Sequence, residues 1–110
     1  MFARCVTMQV KPKMVAQFKQ SLESEVLPLL RRRQGFQDEL LLIAPDGREA
    51  IGISIWDNQQ HAEAYSQQSY PEVQQILSKV TDSAPVVKTY DVSIATSQGK
   101  IAGGGGGVSA

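Results

Sequence analysis

Residues 36–56 read FQDELLLIAPDGREAIGISIW, two apolar runs divided by the tetrapeptide Pro45-Asp46-Gly47-Arg48. The divider carries turn chemistry. Proline presets φ, the aspartate carboxylate bonds back to the chain, and glycine accepts a positive φ. The flanking segments 36–44 and 49–56 are therefore expected to form a hairpin. Leu40 to Ile43 is unbroken apolar sequence, and so is much of 51–56. Strict alternation would leave one wet face, whereas continuous runs mean burial on both faces of the sheet.

On the amino-terminal side, Val15, Phe18, Leu22, Val26 and Leu29 recur at spacings of three and four and share one helical face. Pro12 marks the start of this helix, Pro28 kinks its last turns and Gly35 ends it. Before it, residues 2–10 carry Cys5, Val6, Thr7 and Val10 and read as a strand. On the carboxyl-terminal side a helix starts at Asp57 or Asn58 and runs through Ala62, Ala64 and Tyr65. A second opens at Ser69-Tyr70-Pro71-Glu72, a capping-box pattern, and buries Val73, Ile76, Leu77 and Val80. Pro85 breaks that helix, and residues 86–95 form the last strand. Five consecutive glycines at 103–107 mark residues 97–110 as a flexible tail, leaving 1–96 as the domain.

The order β-α-β-β-α-β specifies an α+β, ferredoxin-like fold, a four-stranded antiparallel sheet with its helices on one face. The other face is left bare although its central strands are apolar. Two copies pairing through that face would give a homodimeric α/β barrel.

Charge narrows the partners. The 11 basic and 11 acidic side chains cancel, so the basic excess that holds a nucleic acid backbone is missing. Arg31, Arg32 and Arg33 form the one dense basic run, read as a solvated helix end against the negative pole of the dipole, with an anion site as the alternative. Cys5 is the only cysteine and His61 the only histidine, which excludes an internal disulfide, a cysteine cluster and a two-histidine metal site. No apolar stretch reaches the length of a signal core or a membrane span, so the expected setting is the cytoplasm, away from membranes.

Leu27-Pro28 followed by Gly35-Phe36, Ile55-Trp56 closing the third strand, and Lys88-Thr89-Tyr90-Asp91-Val92 in the fourth are features that the antibiotic biosynthesis monooxygenase family shares. Over residues 2–96 the chain resembles that family of dimeric α/β barrels. The resemblance implies a cofactor-independent monooxygenase acting on a small electron-rich aromatic, quinol- or polyketide-like, within a homodimer. A non-catalytic small-molecule-binding barrel and an isomerase or lyase on the same scaffold are the alternatives. The haem-degrading branch uses an Asn on the first strand, a Trp in the second helix and a His one helix later. Here Tyr65 and Gln75 stand at the latter two places, and the only Asn is Asn58. Quinol-oxidising members often carry His where this chain has Tyr65 and Tyr70.

The resemblance puts the pocket between helices and sheet, near Trp56, Asn58, His61, Tyr65, Tyr70 and Tyr90. Trp56 offers a surface for a flat ligand, or is a core or interface residue. Tyr65 can donate to a phenolate or quinone oxygen, or to backbone. His61 suits general-base work near neutrality and shares a helical face with Tyr65, or is simply exposed. Asn58 is an oxyanion donor or a helix cap, and Tyr70 and Tyr90 complete the expected substrate-binding set. Cys5 is an apolar filler or a nucleophile.

Overall fold

In the computed structural model, which describes residues 1–96, the strands are β1 (Phe2–Val10), β2 (Phe36–Ile43), β3 (Glu49–Trp56) and β4 (Thr81–Asp91). The helices are α1 (Val15–Ser21), α2 (Leu27–Arg31), α3 (Gln59–Gln68) and α4 (Tyr70–Ser78), with a π-helical segment, Leu22–Val26, joining α1 to α2. The tail expected at 97–110 lies outside the described residues. The four strands form one sheet in the order β2-β3-β1-β4, and every neighbouring pair is antiparallel. This is the ferredoxin-like α+β arrangement expected from the element order.

Strand periodicity sorts the side chains. Phe2, Arg4, Val6, Met8 and Val10 of β1 point toward the helices, level with Trp56, Ser54, Gly52 and Ala50 of β3. Val10, Phe18 and Trp56 are fully buried there. The opposite face carries Cys5, Ile51, Ile53 and Ile55 of the central strands beside Leu40 and Leu42 of β2. It has no covering layer among the described residues, and Leu42 and Val86 stay about half exposed.

Three local expectations are corrected. Pro12 does not open the first helix: it sits in a turn with Lys13 at φ 64°, and α1 starts at Val15. Ser69 precedes α4 but its hydroxyl makes no capping bond, so the capping box does not form. Pro85 lies inside β4 instead of ending the preceding helix, which stops at Ser78. Between the pairs Thr7–Val86 and Gln9–Asp82 the ladder slips, and Ser83 adopts φ 54° within this bulge. β4 is an edge strand, where a residue without an N–H is tolerated.

Pro28 perturbs the helix in a particular way. The Leu27 N–H reaches back five residues to the Leu22 carbonyl, a π-turn immediately before the proline. Its consequence is a change of register. Phe18, Leu22, Val26 and Leu30 are buried at an even spacing of four, while Leu29, expected on the buried face, is only half-buried. An α-helix advances about 40° too far in four residues; the wider π-turn absorbs the excess and keeps all four on one line.

The β2–β3 turn behaves as its residues demand. Gly47 has φ 74°, and Asp46 Oδ1 accepts from the Arg48 N–H at 2.9 Å. Arg48 then ties the hairpin to the sheet, donating through Nε to the Val10 carbonyl at 2.8 Å. The arginine run ends α2: Arg32 Nε donates to the Pro28 carbonyl, and Arg33 Nη2 donates to Gln68 Oε1.

Candidate functional site

A charged side chain stands in the buried phase of β1. Arg4 occupies a position that periodicity assigns to the core, and it is 4% exposed. Its guanidinium lies 4.0 Å from the centre of the Tyr70 ring and 5.5 Å from that of Tyr65. Among the described residues no carboxylate comes within ion-pair distance of it. On β2 a register shift between Phe36 and Asp38 brings Glu39 level with Ser54, in phase with the helix-facing Leu41 and Ile43. Burial, reinforced by the charge of Asp38 and opposed by Arg4, pushes the Glu39 carboxyl up to about 8. Burial likewise raises Tyr65 beyond the ordinary phenol range and raises Tyr70, against the pull of Arg4. Both phenols therefore remain protonated donors at neutral pH.

These groups line a cavity of about 40 Å³ between sheet and helices, floored by Arg4, Glu39 and Ser54 and walled by Tyr65 and Tyr70. Leu22 and Val26, from the π-turn, roof it together with Leu30. A larger cleft of about 390 Å³ opens between α4 and the β4 bulge, bounded by Gln74, Ser78, Ser83 and Pro85. Met8, Tyr70 and Leu77 line both spaces, which therefore adjoin. Among the described residues no three metal-ligating side chains converge.

Of the residues singled out from sequence, the structure brings Tyr65 and Tyr70 onto the cavity wall. Trp56 stands behind them, fully buried. Its ring centre lies 5.1 Å from that of Tyr65 and 5.6 Å from that of Phe36, the latter pair T-shaped, and its Nε1 donates to Ser54 Oγ at 2.9 Å. No ligand can reach its face without displacing Tyr65 or Phe36. Asn58 caps α3, its Oδ1 accepting from the His61 N–H at 2.9 Å. His61 Nδ1 pairs with Asp57 Oδ1 at 2.7 Å. This pair packs against Gly35 (φ 86°), where a Cβ would collide with both side chains. Asn58 and His61 thus hold the start of α3 and lie outside the lining of the cavity. Tyr90 sits level with Ala3 and Ile55, on the sheet face away from the helices, and is about half exposed. Cys5 also faces away, and burial together with the Glu39 charge pushes its thiol up, the wrong direction for a nucleophile.

Arg4 and Glu39 were not singled out from sequence. The signal was available: each is a charged residue in the two-residue step of apolar neighbours on its strand, Phe2 and Val6 for Arg4, Leu41 and, one step further, Ile43 for Glu39.

Fold and site together define a ferredoxin-like α+β domain holding a small, partly polar cavity between its helices and its sheet. No protein-family profile matches the chain, and no curated protein matches it by sequence. Solved structures do. It is similar to ActVA-Orf6 of Streptomyces coelicolor, a monooxygenase solved with nanaomycin D, at TM-score 0.73 and 18% identity, over 86% of this chain and 88% of that one. It is similar to SnoaB of Streptomyces nogalater, a cofactor-independent oxygenase, at TM-score 0.71 and 14% identity, over 86% and 95%. A Bordetella bronchiseptica protein provisionally named an antibiotic biosynthesis monooxygenase aligns at TM-score 0.71 and 14% identity, over 84% and 97%. These are names of the family that the sequence resembles, and at such identities the likeness is one of fold.

Proposed function

We propose that the chain is a cofactor-independent monooxygenase acting on a small electron-rich aromatic, quinol- or polyketide-like. The observation that carries this reading is the cluster of Arg4, Glu39, Tyr65 and Tyr70 beneath an apolar roof. Polar groups gathered in a core without pairing into ion pairs cost stability and are explained by work on a ligand. The similar folds of ActVA-Orf6 and SnoaB, a monooxygenase and a cofactor-independent oxygenase, support the reaction class.

In this reading the substrate supplies the electrons. An activated ring CH₂ loses a proton to Glu39, and the carbanion passes one electron to dioxygen. The resulting radical pair combines into a C–O bond. The peroxide O–O bond then breaks as the second hydrogen leaves with the outer oxygen. One CH₂ and one O₂ become one C=O and one water, the proton on Glu39 completing that water. Tyr65 donates to the substrate oxygen on which negative charge develops. Glu39 takes the base role expected of His61 because it lines the cavity, whereas His61 is engaged with Asp57.

Oxygen-electrode assays on anthrone and hydroquinone test this. One O₂ should be consumed per anthrone oxidised, at a rate that rises with pH toward about 8 as Glu39 becomes the free base. Glu39→Gln should lower kcat on the order of 100-fold and abolish that rising limb. Tyr65→Phe should lower kcat more than it raises KM. Native rates in both variants would sink the assignment. No oxygen uptake on any electron-rich aromatic would favour the binding-barrel or isomerase alternative.

A further inference from the structure

We propose that the cavity floor is an anion-binding site whose ligand is an aromatic acid, its carboxylate on Arg4 and its ring in the cleft beside the β4 bulge. The proposal deepens the reading above by naming the charge and shape of the ligand. It rests on the same cavity but needs no turnover.

The charge balance of the cavity carries the inference. A guanidinium as buried as Arg4 ordinarily has a carboxylate against it, because an unpaired ion in a protein interior gives up its hydration without compensation. The faces of Tyr70 and Tyr65 are neutral partners and leave its charge uncancelled. Glu39 is the acid on the cavity wall, yet it makes no ion pair with Arg4, and its burial keeps it largely protonated at neutral pH. Asp38 turns its Oδ1 to the Glu39 N–H instead. Lys19 and Glu23 share a separate outer groove with Glu39 and are exposed. The cavity therefore carries a net positive charge near pH 7, and the missing counter-charge has to come from a ligand.

Size fixes the shape of that ligand. A cavity of about 40 Å³ holds roughly three or four waters at ~10–15 Å³ each. It takes the carboxylate-bearing edge of an aromatic ligand, within reach of Arg4 and Glu39, and is too small for the whole ring. The adjoining 390 Å³ cleft, which shares Met8, Tyr70 and Leu77 with the cavity, takes the rest of the ring system against Pro85. The planar guanidinium fork matches two carboxylate oxygens, which an amide or alcohol of the same shape cannot replace.

Titration calorimetry with 2-naphthoate and its neutral isostere 2-naphthamide, in air-free buffer at pH 7, tests the proposal. The native protein should bind naphthoate at least about 10-fold more tightly than naphthamide. Arg4→Met should erase the preference, and Arg4→Lys should keep part of it. Circular dichroism checks that each variant is folded. Should Arg4→Met fail to fold, weakening of naphthoate but not naphthamide binding by added salt, in the native protein and the lysine variant, is the required result. Equal affinities, binding of neither probe, or a preference that survives Arg4→Met overturns the proposal. Preference for naphthoate without oxygen uptake in the earlier assay would sink the oxygenase reading alone. Oxygen uptake with equal probe affinities would sink this one alone.

Discussion

Glu39 sets a pH dependence of stability as well as of turnover. Its folded-state pKa of about 8 lies above the ordinary carboxyl value of 4.5, so the folded protein keeps a proton that the unfolded chain releases. The sign follows from linkage: the contribution is fully present below about pH 4.5 and is lost as pH rises through about 8. Allowing for the partial exposure of the side chain, the loss is on the order of 2 kcal/mol. Between pH 5.5 and 8.5 the native Tm should fall by about 5–10 °C more than that of Glu39→Gln. Equal slopes in differential scanning calorimetry would mean that the carboxyl is solvated. This residue also shows what a sequence yields and what it withholds. Tyr65 and Tyr70 could be chosen in advance because aromatic residues on a helix beside a sheet face the cavity or the core either way. The solitary His61 stands out by its chemistry, yet its place is fixed by a local pairing with Asp57 and by packing against Gly35, a segment far away in sequence. The depth of Arg4 and Glu39 depends on which elements cover them, and only their phase within the strands hinted at it.

At the scale of elements, β1 and β3 lie where their apolar runs and turn residues put them, because strand register needs only local pattern and one hairpin. The first helix departs from expectation because Pro28 is accommodated upstream, by a π-turn that periodicity does not report. The exchange of Leu29 for Leu30 in the core gives that difference a measurable form. Leu30→Ala should lower stability by about 2–5 kcal/mol, and Leu29→Ala by about 1 kcal/mol or less. Urea melts of the two variants separate the cases: a regular α-helix through this region would reverse their order. Leu30 also roofs the cavity, so its loss should enlarge the ligand space as well as weaken the fold. Pro85 went the other way. In sequence it reads as a helix breaker, but the helix had already ended at Ser78, and only the edge position of β4 reveals why a proline can sit within a strand.

Among the described residues nothing covers the sheet face rich in isoleucine and leucine, and we expect two copies to pair through it. Light scattering at micromolar concentration should report about twice the 12.0 kDa chain mass. Ile53→Asp, on that face and away from the cavity, should return the monomer, since an unpaired carboxylate in an apolar interface costs several kcal/mol. A native monomer at that concentration would remove the expectation, and with it the barrel. Tyr90 and Val86, exposed in the single chain, share this face with the isoleucines. The bulge in β4 bears on a different matter. An open sheet edge is a template on which further strands can add without limit, the route by which β-proteins grow into filaments. Here one edge of the sheet breaks its ladder at Ser83 to Pro85, with a left-handed residue and a missing N–H. The irregularity that shapes one wall of the ligand cleft thus also blunts that edge as a template, guarding it against open-ended polymerisation.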